Sequence, residues 1–172
     1  MAAATTVLSQ VAVYADAVSL IGYASEIDLP TINSTTQEHT SLGMRGSIDV
    51  PVGLDAMECR IKWTGHGVAI SRIAYNLDGT VNLQIRGVLE DLTGPVKVRK
   101  QCTWYVKGTP KSKEGGKWTP KSLMEHESMF SVTYYKEEID GVATVEIDVP
   151  NNIYRLMGQD QNADANRILG IN

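Results

Sequence analysis

The chain of 172 residues carries three histidines, His39, His66 and His126, and two cysteines, Cys59 and Cys102. Metal sites, proton relays and thiol nucleophiles are built from such side chains, but only when their spacing brings several together. Here the histidines fall in unrelated segments, and the cysteines form neither a CxxC pair nor a Cys/His cluster. No GxSxG, HExxH or dinucleotide fingerprint is present, and Gly115-Gly116-Lys117 lacks both the first glycine of a phosphate loop and its trailing Ser/Thr. The expectation is no catalytic residue, no metal and no cofactor. Each cysteine sits on an apolar strand face, where a free thiol acts as a small hydrophobe. The sharper alternative is a crosslink within or between subunits in an oxidising medium. Asn33-Ser34-Thr35 matches a glycosylation sequon, but nothing at the start of the sequence resembles a signal peptide, so the match is read as incidental.

Charge is more informative. The formal net charge is -4, from 16 basic and 20 acidic residues. Eight of the basic residues and one acidic residue, Glu114, lie between Lys97 and Lys121, so that segment carries +7 and the remainder -11. Such a division suggests complementary surfaces that meet. Lys107, Lys111, Lys113, Lys117, Trp118 and Lys121 form a candidate basic contact loop over 108–121 and its approach. A lysine-rich loop with an aromatic can also hold a nucleic-acid strand, although net acidity makes a small β-rich nucleic-acid-binding module a distant second reading.

The elements that would position these residues are strands. Residues 1–10 are small and polar and predict an N-terminal arm, followed by a single domain over 11–172. With 42% hydrophobic and 21% charged residues, the chain can bury one ordinary core. No run approaches the roughly 20 apolar residues that cross a bilayer. Membrane insertion is not expected, and the protein should be made and kept in cytosol. Val11, Val13 and Ala15 alternate in a first strand, and Val18 to Leu29 reads as a second. Residues 31–52 are a polar excursion, an extended hairpin or a large loop. Met57, Cys59, Ile61 and Trp63 share one face of a half-buried strand. Val68 to Leu77 predicts one short helix closed by Asp78-Gly79. Val81–Leu89 and Val96–Val106 are further strands, the second broken in pattern by Lys100.

The last hairpin is the most legible feature. Asp140-Gly141 favours a two-residue turn that sets Ile139 opposite Val142. Counting outward pairs Glu138 with Ala143, Lys136 with Val145 and Tyr134 with Ile147. Thr133, Tyr135, Glu137, Thr144, Glu146 and Asp148 then share an acidic face. The fold class is mainly β, two packed antiparallel sheets or a small barrel with one short flanking helix.

Five ordered pieces carry a family resemblance: Asp28-Leu29-Pro30; Gly43-Met44-Arg45-Gly46 leading to Val52-Gly53-Leu54-Asp55-Ala56-Met57-Glu58; Ile85-Arg86-Gly87-Val88-Leu89; Tyr134 to Gly141 returning as Val145-Glu146-Ile147-Asp148; and Asn166-Arg167-Ile168-Leu169-Gly170. Together they resemble the major tail tube protein of contractile-tailed bacteriophages and R-type pyocins. The likeness runs from about Val11 nearly to the end, departing in the basic loop and the two cysteines.

The resemblance implies a structural virion protein that forms hexameric rings stacked into the inner tube of a contractile tail, a conduit for DNA ejection. A headless tail-like particle or a secretion tube remains the alternative. It implies sheath, baseplate and tail terminator proteins as partners, a tape measure protein in the lumen, and transient passage of DNA without specific binding. The tail of the virion, assembled in the host cytoplasm, is the expected location. The acidic hairpin face is then a candidate lumen lining that repels phosphates, with outward exposure as its alternative. The excursion, with Asn33, Thr36, Glu38, His39, Met44 and Arg45, is a candidate contact between rings.

Overall fold

A computed structural model describes residues 6–16, 18–92 and 96–171. Its centre follows from alternation. In β6 (Met57–Trp63), Met57, Cys59, Ile61 and Trp63 are buried while Glu58, Arg60 and Lys62 are exposed, as a side-chain period of two requires. The whole of β6 pairs with the first half of β9 (His126–Ile139), and β9 runs beside the long β8 (Val98–Lys113). From β8 the sheet continues through β7 (Val81–Asp91) and β1 (Thr6–Ala15) to the short β2 (Val18–Ser19). On the other side, β10 (Val142–Asp148), β11 (Ile153–Leu156) and β12 (Gln159–Asp160) follow the second half of β9.

All these pairings are antiparallel, and β3 (Ala24–Asp28) completes ten strands by pairing β6. Because the two halves of β9 take different partners, the sheet divides into two layers over one core. Val13, Ile61, Trp63, Ile85, Val106, Phe130 and Ile147 fill it. Helix α1 (Val68–Ala74) covers one end with Ile70, Ile73 and Ala74. The expected mainly-β, two-layered antiparallel fold is what the chain adopts, without a closed barrel among the described residues.

Several boundaries differ from the expectation. Thr6–Gln10, read as arm, are strand, because β7 runs on to Asp91 and offers them a partner; residues 1–5 lie outside the described residues. The strand expected over Val18–Leu29 is broken at Gly22, whose φ of 85° turns the chain from β1 in one layer to β6 in the other. Helix α1 stops at Ala74, capped by Tyr75, so Gly79 is not its cap. The expected loop over 108–121 begins as strand, since Lys113 still pairs with Ser128 of β9. A second helix, α2 (Ala163–Leu169), ends at Gly170 in the left-handed conformation that closes helices.

The polar excursion is a hairpin. β4 (Ser34–His39) and β5 (Ile48–Leu54) form a separate two-stranded sheet whose every residue is exposed.

Candidate assembly surfaces

The β9–β10 turn forms as its sequence dictates. Asp140 and Gly141 have φ of 53° and 80°, Val142 pairs with Ile139, and Ala143 with Glu138. The register then slips. Thr144 is an extra residue, so Val145 pairs with Glu137 and Ile147 with Tyr135. A second bulge leaves Thr133 between Val132, opposite Gly108, and Tyr134, opposite Lys107. One inserted residue moves everything beyond it to the other face. The six residues expected to share an acidic face are therefore split. Tyr135 points into the core at 6% exposure, and burial pushes its phenol up to about 12. Glu137 lies on that same side, accepting hydrogen bonds from Trp104 Nε1 at 3.1 Å and Thr144 Oγ1 at 2.8 Å. Glu146 and Asp148 lie on the opposite face with Tyr134, Lys136 and Glu138.

That opposite face is built from one row crossing six strands. Tyr14 of β1, Gln84 of β7, Tyr105 of β8, Lys136 of β9, Glu146 of β10 and Arg155 of β11 are successive register partners. Its groups satisfy one another. Arg155 Nη1 lies 3.0 Å from Glu146, which also accepts a 3.0 Å bond from the Tyr134 hydroxyl. Burial, then this bond, holds the Tyr134 phenol well above its ordinary range. Lys136 lies 2.7 Å from Glu138, a bond that raises its ammonium, and 5.8 Å from the centre of the Tyr105 ring. Arg86 sits 5.1 Å over Tyr14 and donates to Gln84 at 3.1 Å. The face is polar with alternating sign rather than acidic. At one end it dips into a concavity of about 600 Å³ lined by Tyr14, Tyr105, Lys107, Tyr134 and Asp148.

The hairpin brings the second set of candidates together. Thr36, Glu38 and His39 lie in β4, and Met44 and Arg45 near the tip. Asn33 accepts the Asp55 amide at 2.9 Å and closes the base. His39 Nε2 lies 2.7 Å from the Ser41 hydroxyl. Sequence reading stressed this polar strand and missed its partner. Ile48, Val50, Val52 and Leu54 of β5 are all exposed, and the alternation in Ile48-Asp49-Val50 was the available signal.

The basic segment is dispersed and partly neutralised. Lys97 and Arg99 flank Glu90, whose carboxyl the Arg99 bond draws below its usual range. Lys111 pairs with Glu58. Lys113 lies 4.9 Å over the Tyr75 ring, and burial lowers its ammonium. Lys107, Lys111 and Lys113 belong to β8, while Lys117, Trp118 and Lys121 lie in the following loop. Trp118 packs edge-on to His66 at 5.7 Å, and His66 meets His126 at 5.8 Å. His126 is buried, its ring nitrogens have no hydrogen-bond partner, and burial holds it below its ordinary pKa.

Cys59 and Cys102 are free and enclosed in the core. Burial pushes their thiols up to about 12 and about 11. A crosslink between subunits would require these sulfurs to reach the surface. Among the described residues no group of three or more His, Cys, Asp or Glu could hold a metal.

A sheet with two open ends, a self-paired polar face and a hairpin that pairs with no other strand among the described residues define a subunit whose working parts are surfaces of assembly. The chain belongs to the family of phage tail tube protein FII, whose model matches residues 5–170. It is 28% identical over 166 residues to the tail tube protein of Escherichia phage P2, covering 92% of this chain and 94% of that one. It is 26% identical over 152 residues to the major tail tube protein of Serratia phage KSP20, covering 85% and 84%. A solved structure similar in fold comes from the sheath-tube complex of an extracellular contractile injection system in its extended state. It has a TM-score of 0.56 and 12% identity over 75% of this chain and 88% of that one. Another, from the sheath/tube terminator of the same system, has a TM-score of 0.53 and 14% identity over 76% and 94%.

Proposed function

We propose that this chain is the subunit of the inner tube of a contractile tail, assembled as hexameric rings that stack around a lumen through which DNA passes. The observation that carries the reading is the six-strand polar row. The face opposite the core is continuous across the sheet, free of apolar patches along that row, and internally paired. Joined edge to edge with neighbouring copies, such faces make a wall, and closing the sheet across subunits removes its exposed edges. Contacts around a ring close, while contacts between rings repeat without closing and give a tube. The hairpin β4–β5, including Asn33, Thr36, Glu38, His39, Met44 and Arg45, supplies the contact between rings.

The lining acts through paired charges. DNA is a dense line of negative charge, and unpaired cations along its path would bind it. Glu138 holds Lys136 and Glu146 holds Arg155, so at these two positions a phosphate passing the wall would have to displace a carboxylate to gain a cation, while Arg86 is engaged by Tyr14 and Gln84. In this reading Glu146 and Asp148 face the lumen, while Thr133, Tyr135, Glu137 and Thr144 support the wall from bulges and from the core side. The sheath packs outside, the baseplate and terminator at the ends, and a tape measure protein in the lumen before DNA. The tube works in the virion tail and is assembled in the host cytoplasm. The double variant E138Q/E146Q, close in shape to the parent, tests the lining. Tubes of normal length with slowed DNA delivery are expected, and unchanged delivery would contradict the assignment.

A further inference from the structure

The hairpin leaves open what its apolar side chains meet. Ile48 and Val50 point to one face of β5 and are 51% and 39% exposed. A lone two-stranded hairpin is at best marginally stable in water, and among the described residues β4 and β5 pair only with each other. Elsewhere on the same chain lies a groove lined mainly by apolar residues, with Ser25 and Glu26 on its β3 side. It opens where the two layers part, because β3 pairs only with β6 while β1 pairs with β7 and β2. Leu8 and Val11 of β1 form one wall, Ile27 and Leu29 the other, with Trp104 below, around a volume of about 380 Å³.

The floor depends on a glycine. A Cβ on Gly87 would stand 2.7 Å from Leu8 Cδ1 and 3.2 Å from Trp104 Cζ3, so the missing side chain lets these two settle. Leu8 and Val11 are each 46% exposed, and no strand pairs the outer edge of β1 from Thr6 to Ala12 among the described residues. The chain thus carries an apolar knob and an apolar hole that do not fill each other.

We infer that the groove between β1 and β3 receives Ile48 and Val50 from the hairpin of a second copy of this chain. This rests on the tube reading and names the receiving surface for the contact between rings. A knob and a hole on different parts of one subunit make a heterologous contact, which closes within a ring or, placed between rings, repeats along the tube.

The test is a cysteine pair, V11C/V50C, in protein assembled with its tail partners and then oxidised. The expected result is a reducible ladder of dimers, trimers and longer products in denaturing gels, absent from wild type, whose two native thiols are buried. L8C/I48C repeats the test should the first pair fail to fold. Val50→Asp should lower tube yield by about tenfold or more while leaving the subunit folded. Normal tubes with no ladder from either pair would overturn the docking and leave the tube reading standing. A product that stays monomeric but migrates faster would overturn it too, because the hairpin would then fill its own groove. Wild-type protein that never enters a tail with its partners present would count against the tube reading itself.

Discussion

Two seven-residue strands stand two residues apart in this chain and meet opposite fates. β5 and β6 both carry an apolar residue at every second position, yet Met57, Cys59, Ile61 and Trp63 are at most 2% exposed whereas Ile48, Val50, Val52 and Leu54 are 39–57% exposed. The spacing of their apolar residues does not separate them. β6 finds β9 on one edge and β3 on the other, with α1 and the opposite layer over its apolar face. Among the described residues β5 finds only β4, a strand of six exposed and polar residues. Alternation therefore states that a face needs cover, and topology decides whether the cover comes from the same chain. On the docking inferred above, the strand left uncovered is where the next subunit belongs.

The largest effect that would sharpen this contrast comes from truncating one residue on each side of it. Trp63→Ala removes a fully buried ring and its 3.0 Å bond to Ser128, and should cost about 3–5 kcal/mol in urea unfolding of the free subunit. Val50→Ala should change that stability by no more than about 0.5 kcal/mol and instead reduce the yield of tubes. Equal effects on the free subunit would break the comparison.

Thiol chemistry gives the next contrast. Cys59 is enclosed and its thiol is pushed up to about 12, so alkylation near pH 8 should be on the order of a thousandfold slower than at an exposed cysteine. A cysteine placed at Val50 should react readily in free subunits and become protected in tubes.

The two faces of β9 offer a smaller version of the same contrast. Glu137→Leu strands the Trp104 indole N–H and the Thr144 hydroxyl, and should destabilise the subunit by about 1–3 kcal/mol. Glu138→Leu, on the paired polar face, should cost no more than about 1 kcal/mol.

The least of the effects is a pH dependence. His126 is held neutral because burial depresses its pKa in the folded state. The unfolded chain then binds more protons, so its contribution is complete above about pH 6.5 and is lost as pH falls below that. The urea midpoint should fall between pH 7 and 5, and His126→Phe should flatten that slope.

How much of this was legible in the sequence depends on how local the cause was. The Asp140-Gly141 turn and the inward face of β6 follow from residues adjacent in the chain, and both formed as read. The lining did not, because the bulges at Thr133 and Thr144 each add one residue and reverse the faces beyond. Nothing in Ala143-Thr144-Val145 announces such a bulge; it is settled by which neighbours β8 and β10 bring alongside. The strand end at Lys113 was likewise hidden, since a Gly/Pro-rich basic run reads as loop until β9 lies beside it. The groove between β1 and β3 was beyond reach, being made by strands from separate layers. The candidate hairpin was visible as an excursion, while its apolar side was obscured because Pro51 and Gly53 stand where an alternating strand would carry polar residues.

A cryo-electron microscopy reconstruction of the assembled protein at side-chain detail would place both surfaces at once. It should show stacked hexameric rings with Tyr105, Lys136, Glu146 and Arg155 facing the lumen and β4–β5 bridging adjacent rings. A lumen lined by α1 and the loop bearing Trp118, with the six-strand polar row turned outward, would contradict that arrangement.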